Sequence, residues 1–164
     1  MILSTISTSV RTLRVSSKAF PEGGSIPRKY TCDGVNVSPP LDISFIPNET
    51  KSLAIIMEDP DAPISTWYHW LAWNVPVAHN IAEDGLHGIQ GMNDFSKRFY
   101  CGPCPMSGIH QYKFRVFALD CFLELKPNVK IFEMELAMKD HILAYGELTC
   151  YYGRSYSLVK AENN

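Results

Sequence analysis

The sequence predicts a mainly β fold with one or two peripheral helices. Three observations carry this. Short apolar or alternating runs recur along the chain, Pro and Gly punctuate them roughly every 10 to 20 residues, and only one stretch has a convincing helical period. The 164 residues make one domain the expectation, 1–164, with its core at about 12–160. That length buries a real core without needing disulfides.

Each element follows in order. Residues 52–58, SLAIIME, are apolar throughout and close on Asp59-Pro60, as in a strand buried on both faces. Residues 66–75, TWYHWLAWNV, are aromatic-rich and stop at Pro76, a second strand. Alternation there would put His69 on one face with Trp67, Leu71 and Trp73. Residues 76–109 show little periodicity but carry aromatics, Gly and Pro, so an ordered segment that shapes a site is expected.

The clearest strand is 110–119, HQYKFRVFAL. His110, Tyr112, Phe114 and Val116 share one face, and Gln111, Lys113 and Arg115 face water. Residues 133–145, EMELAMKDHILAY, read as the helix, because Met134, Met138, His141 and Tyr145 are spaced by four, three and four. Gly146 then serves as its stop, and ELTCYYG supplies the last strand.

Composition excludes several classes. Hydrophobic residues make up 46% and charged residues 20%, which is ordinary for a globular protein. A net charge of −2 speaks against nucleic acid as a partner, because phosphate backbones demand a basic surface. No apolar run approaches about 18 residues, so no transmembrane segment is expected. The start, MILSTISTSVRTLRV, lacks a basic opening followed by an apolar stretch, so no secretory leader and a cytoplasmic address are expected. The five cysteines, Cys32, Cys101, Cys104, Cys121 and Cys150, are then expected to be reduced thiols, with a pair among them left open. Exposed aromatics such as Tyr151 and Tyr152 leave a homodimer open.

One motif demands a decision. Cys101-Gly-Pro-Cys104 spells a thioredoxin-type redox centre, which needs its first thiol at a helix N-terminus. Here Pro105-Met106-Ser107-Gly108 follows and then a strand, so the redox reading fails. A zinc reading lacks the other two ligands. The Gly and Pro residues matter more than the sulfurs: they build a rigid turn close to whatever His110 faces.

Four segments then bring chemistry together: Asp59-Pro60-Asp61-Ala62-Pro63, Trp67-Tyr68-His69, the Gly102-Pro103 turn, and His110-x-Tyr112. Taken singly, each has an ordinary structural explanation, as a turn, a core histidine or a packing tyrosine. Together they resemble the phosphatidylethanolamine-binding protein family, which includes the Raf kinase inhibitor proteins, and within it the bacterial and archaeal YbhB/YbcL-like branch. The resemblance spans roughly residues 15–154 and rests on CDGVNVSPPL, KSLAIIMEDPDAP, WYHWLAWNVP, GPCPMSGIHQYKFRVFALD and HILAYGELTCYYGR.

The resemblance implies a β-sandwich-like fold, with a large antiparallel sheet beside a smaller one. It implies a shallow pocket for small anions and phosphate groups, made by Asp59, Trp67, His69, Gly102, His110 and Tyr112. The partner is then a phosphate-bearing small ligand or a phosphorylated protein, and a role as inhibitor of a kinase or other enzyme follows by analogy. No cofactor is implied, and a non-catalytic protein is expected. Gln111, Met106 and Ser96-Lys97-Arg98 depart from the branch's usual Arg, Pro and Gly-rich loop, so the rim differs while the pocket letters are intact.

The expected physics is an anion held by two imidazoles, with Asp59 raising their pKa. Tyr112 and the Gly102 backbone would add neutral donors, and Trp67 an apolar wall. A phosphate monoester keeps one proton below its second pKa near about 6, and that proton suits Asp59. The alternative is a hydrolase using Asp59, His69 and His110, alone or around a metal, with Cys104 the nearest nucleophile. An interaction module with a vestigial pocket is the third reading.

Overall fold

The computed structural model describes residues 10–85 and 88–154. Twelve elements with their own ranges set the frame. They are β1 (Arg11–Thr12), β2 (Arg14–Ser16), β3 (Gly24–Ser25), a 3-10 turn (Arg28–Tyr30), β4 (Leu41–Ser44), β5 (Ser52–Asp59), β6 (Trp67–Val75), β7 (Asn80–Ile81), β8 (Ile89–Gln90), β9 (Ile109–Leu119), α1 (Ile131–Met138) and β10 (Ile142–Gly153). The large sheet runs β1-β10-β9-β5-β6-β8, with β3 beside β10, and the small sheet runs β2-β4-β7. The long strands β10, β9, β5 and β6 pair antiparallel, while the two-residue β1 and β3 lie parallel to β10. The expected mainly β architecture is therefore present, with the large sheet mixed at one edge.

Two apolar layers explain why β5 is hydrophobic throughout. One face of the large sheet, including Ile55, Met57, Trp70, Phe114 and Val116, packs on Val15, Leu41 and Ile43 of the small sheet. The other face, including Ala54, Ile56, Leu71, Trp73 and Phe117, packs on Met134 and Met138 of α1 and on Leu123. A strand with a cover on both sides has no polar face to keep.

The helix ends at Met138, not Tyr145. Asp140 takes a left-handed φ of 67° there, and the chain enters β10 at Ile142. Pairing decides this: Tyr145 sits opposite Phe117 in the sheet and accepts the Leu13 N–H at 2.8 Å through its carbonyl. Gly146 is no helix stop. A Cβ there would lie 2.5 Å from the Leu13 carbonyl oxygen, so glycine is what lets the N-terminal strands cross β10. Arg115 is not wet but 5% exposed, because α1 covers it. Its guanidinium meets Glu58 at 2.9 Å and Glu135 of the helix at 3.8 Å. Tyr152 is likewise part-buried, its hydroxyl donating to Asp33 at 2.8 Å.

Candidate functional site

β5 ends in an aspartate whose environment is set by its own turn. Asp59 is buried, and its Oδ1 accepts the N–H of Asp61 at 2.9 Å, a local turn of the Asx type. Its Oδ2 accepts Nδ1–H of His110 at 2.8 Å. Asp61 in turn accepts the Gln111 N–H at 2.8 Å, so the DPDAP turn is pinned to the start of β9 at two points. The turn reading of this motif holds, and the turn also bonds to His110 and Gln111 of β9.

β6 delivers His69 by a device that alternation did not anticipate. Trp70 pairs with Met57 and Tyr68 with Glu58, which leaves His69 without a partner across β5. This β-bulge reverses the alternation. Leu71 and Trp73 face the helix layer, but His69 faces the other way with Trp70 and Trp67, correcting the expected shared face. Its ring stands edge-on to Tyr112 of β9 at 5.4 Å. His110 stacks on the same Tyr112 ring at 6.4 Å. The two imidazoles thus converge on one tyrosine.

The turn after the long segment closes the group. Nδ1–H of His69 is donated to the Cys101 carbonyl at 2.7 Å. The next residue, Gly102, is buried where a Cβ would lie 2.1 Å from the Tyr30 carbonyl oxygen. Its N–H is donated to Asn36 Oδ1 at 2.7 Å, so the backbone there supplies shape and not the free donor expected. Cys104 is bonded to Cys32, a disulfide spanning 72 residues. Among the described cysteines Cys101, Cys121 and Cys150 are free. The reduced-thiol expectation is corrected for Cys32 and Cys104, which form the pair that the sequence left open. CGPC is no redox pair, as argued, but its second cysteine staples the turn to the Cys32 loop.

Two residues of the site escaped the sequence reading. Phe95 stands edge-on to His69 at 5.0 Å and to Trp67 at 5.6 Å. Asn93, fully buried, donates to the carbonyls of His69 and Phe99 and accepts N–H groups of Phe95 and Lys97. The segment 76–109 has no period to betray them, and an Asn that organises a loop looks like any loop Asn. As expected, that segment is built into the site.

Electrostatics set the roles. His69 is 2% exposed, and burial drives its pKa down against the pull of the Cys101 carbonyl and the Asp59 charge. The expected cationic His69 is therefore replaced by a neutral ring. Tyr112 is buried, and its hydroxyl has no hydrogen-bond partner within good geometry. Burial first, and the Asp59 charge next, push its pKa far up, so it is a neutral donor. Trp67 and Phe95, 39% and 37% exposed, form the rim.

The fold and this geometry have known counterparts. A family profile described as "Phosphatidylethanolamine-binding protein" matches residues 16–153. The chain belongs to that family. A UPF0098 protein of Pyrococcus horikoshii is 46% identical over 153 residues, covering 87% of this chain and 77% of the relative. A UPF0098 protein of Chlamydia muridarum is 42% identical over 147 residues, 85% of this chain and 98% of the relative. Among solved structures, a phosphatidylethanolamine-binding protein homologue from Chlamydia trachomatis superposes with a TM-score of 0.84 at 39% identity, covering 88% of this chain and 99% of that one. E. coli YbcL superposes with a TM-score of 0.79 at 29% identity, covering 87% and 98%.

The archaeal and bacterial relatives bear out the expected branch of the phosphatidylethanolamine-binding protein family. Membership supports ligand binding in general. Among the described residues no helix is long and apolar enough to cross a membrane. The hydrolase alternative loses two supports. Cys104 has no thiol to attack with. Asp59, His69 and His110 are not a cluster with all donor atoms within 4.8 Å of one another; among the described residues only Asp120, Cys121 and His141 are.

Proposed function

We propose that this protein binds a phosphate-bearing ligand in the cup of Asp59, His69, His110 and Tyr112, with Trp67 and Phe95 as its rim and Gly102 as its wall. The observation that carries the reading is the Tyr112 hydroxyl: a buried donor that makes no well-formed hydrogen bond, with the Asp59 carboxylate, the Cys104 backbone and both imidazoles beside it. A buried unsatisfied hydroxyl costs about 1–3 kcal/mol, and a ligand oxygen removes that cost.

The groups around it fit a singly protonated phosphate. Tyr112 O–H donates. His110 commits Nδ1–H to Asp59 and leaves Nε2, which has no partner among the described residues, for the ligand. Neutral His69 and the Asp59 carboxylate favour a ligand that brings a proton. Asp59, His69 and Tyr112 are buried while Trp67 and Phe95 are exposed, so the ligand enters past Phe95 and Trp67 and sets its organic part on them. That part belongs to a lipid head group, a nucleotide or a phosphorylated side chain; inhibition of a kinase or other enzyme would follow from the last.

Calorimetric titration of the full chain with inorganic phosphate and with phenyl phosphate tests this. Saturable binding that weakens about tenfold or more in Tyr112→Phe and His110→Ala supports it. Binding unaffected by both substitutions, or no binding of either probe, overturns it.

A further inference from the structure

We infer that Asp120, Cys121 and His141 form a binding site for a thiophilic divalent metal ion, with Zn2+ the best fit. The site is independent of the cup. β9 starts beside the cup at Ile109 and ends at Leu119, and its 11 residues put Asp120 roughly 30 Å from His110.

The three donors are of three kinds, and the ligand atoms all lie within 4.8 Å of one another. Backbone bonds hold them there. The Asp120 N–H is donated to the His141 carbonyl at 3.1 Å, and the His141 N–H to the Met138 carbonyl at 3.0 Å. Ser52 Oγ donates to the Cys121 carbonyl at 2.6 Å. The left-handed Asp140 turns the chain back so that His141 meets the exit of β9.

Size and chemistry then choose the ion. In tetrahedral zinc, bonds of about 2.0–2.3 Å set neighbouring donors about 3.3–3.8 Å apart. His141 Nδ1 now lies 2.7 Å from Asp120 Oδ1, so side-chain rotation of less than an ångström at each donor, about the gap itself, seats the ion. A thiolate beside an imidazole selects zinc-like ions over magnesium or calcium. Three protein ligands on a part-exposed rim leave the fourth position to water. Lys51 is a neighbouring cation that favours the Cys121 thiolate while repelling the ion, so its two effects oppose one another. Bound there, the metal ties the exit of β9 to the entry of β10.

Cobalt titration of the metal-stripped full chain tests the site. One equivalent of Co2+ should give a thiolate-to-cobalt charge-transfer band that Zn2+ abolishes. Cys121→Ser should lose the band, and His141→Asn should weaken Co2+ binding by roughly tenfold or more. Circular dichroism certifies that each variant is folded; if one is not, the others carry the test. Saturable binding without a thiolate band, a band that survives in folded Cys121→Ser, or no saturable binding by the wild-type chain overturns the proposal.

Discussion

His69 donates its Nδ1–H to the Cys101 carbonyl oxygen at 2.7 Å, across 32 residues of sequence. The bond fixes the tautomer and ties β6 to the turn. Because burial lowers the ring's pKa in the folded state, the unfolded chain binds the proton more readily. The stability of the native state is then fully present above the usual imidazole value of about 6.5 and declines as pH falls below it. Urea unfolding from pH 4 to 8 should show a shallower acid slope in His69→Gln than in the wild type. Identical slopes would remove His69 as a source of that decline.

Ligand binding should follow the phosphate's own proton. Its second pKa is near about 6, and the dianion faces the Asp59 carboxylate with nothing to give it. Affinity for phenyl phosphate should fall progressively above about pH 6. Asp59→Asn, which keeps the shape and removes the charge, should flatten that profile. Affinity that rises with pH would contradict the assignment.

Tyr112→Phe separates binding from folding. The hydroxyl makes no well-formed hydrogen bond to its neighbours Asp59 and Cys104, so its removal should leave the free protein as stable or up to about 1 kcal/mol more stable, while phosphate binding weakens. Thermal melts with and without phosphate read both. A destabilised free protein would mean the hydroxyl is already satisfied.

Gly102→Ala should do the reverse. The added methyl meets the Tyr30 carbonyl oxygen at 2.1 Å and Thr31 Cα at 2.9 Å, both backbone atoms that cannot swing aside. A loss of about 1–3 kcal/mol is expected, with displacement of the turn that holds His69. Reduction of Cys32–Cys104 should cost about 2–4 kcal/mol, given a 72-residue loop. Melting with and without a phosphine reductant, against Cys32→Ser as control, measures it.

Much of this was legible in the chain. β5 shows as an unbroken apolar run because both its faces are covered, and β9 shows as alternation from His110 to Val116. What failed did so where long-range pairing overrode local pattern. Residues 142–145 have an acceptable helical spacing, yet the sheet edge at Arg11–Thr12 claims them. Arg115 looks solvent-facing until α1 arrives from another part of the chain. Of the site, Asp59, His69, His110 and Tyr112 were readable, since each sits on a strand or its end. Phe95, Asn93 and the Cys32 partner were not, because no period or spacing marks a loop residue's tertiary contact.

The unpaired residue in β6 has a price in tolerance. Deleting a single position around Tyr68 would remove the bulge opposite Met57 and Glu58, and the imidazole would then swing under α1, leaving a folded sheet with an empty place beside Tyr112. The proposed cup hangs on one extra amino acid in β6 opposite the Met57–Glu58 step.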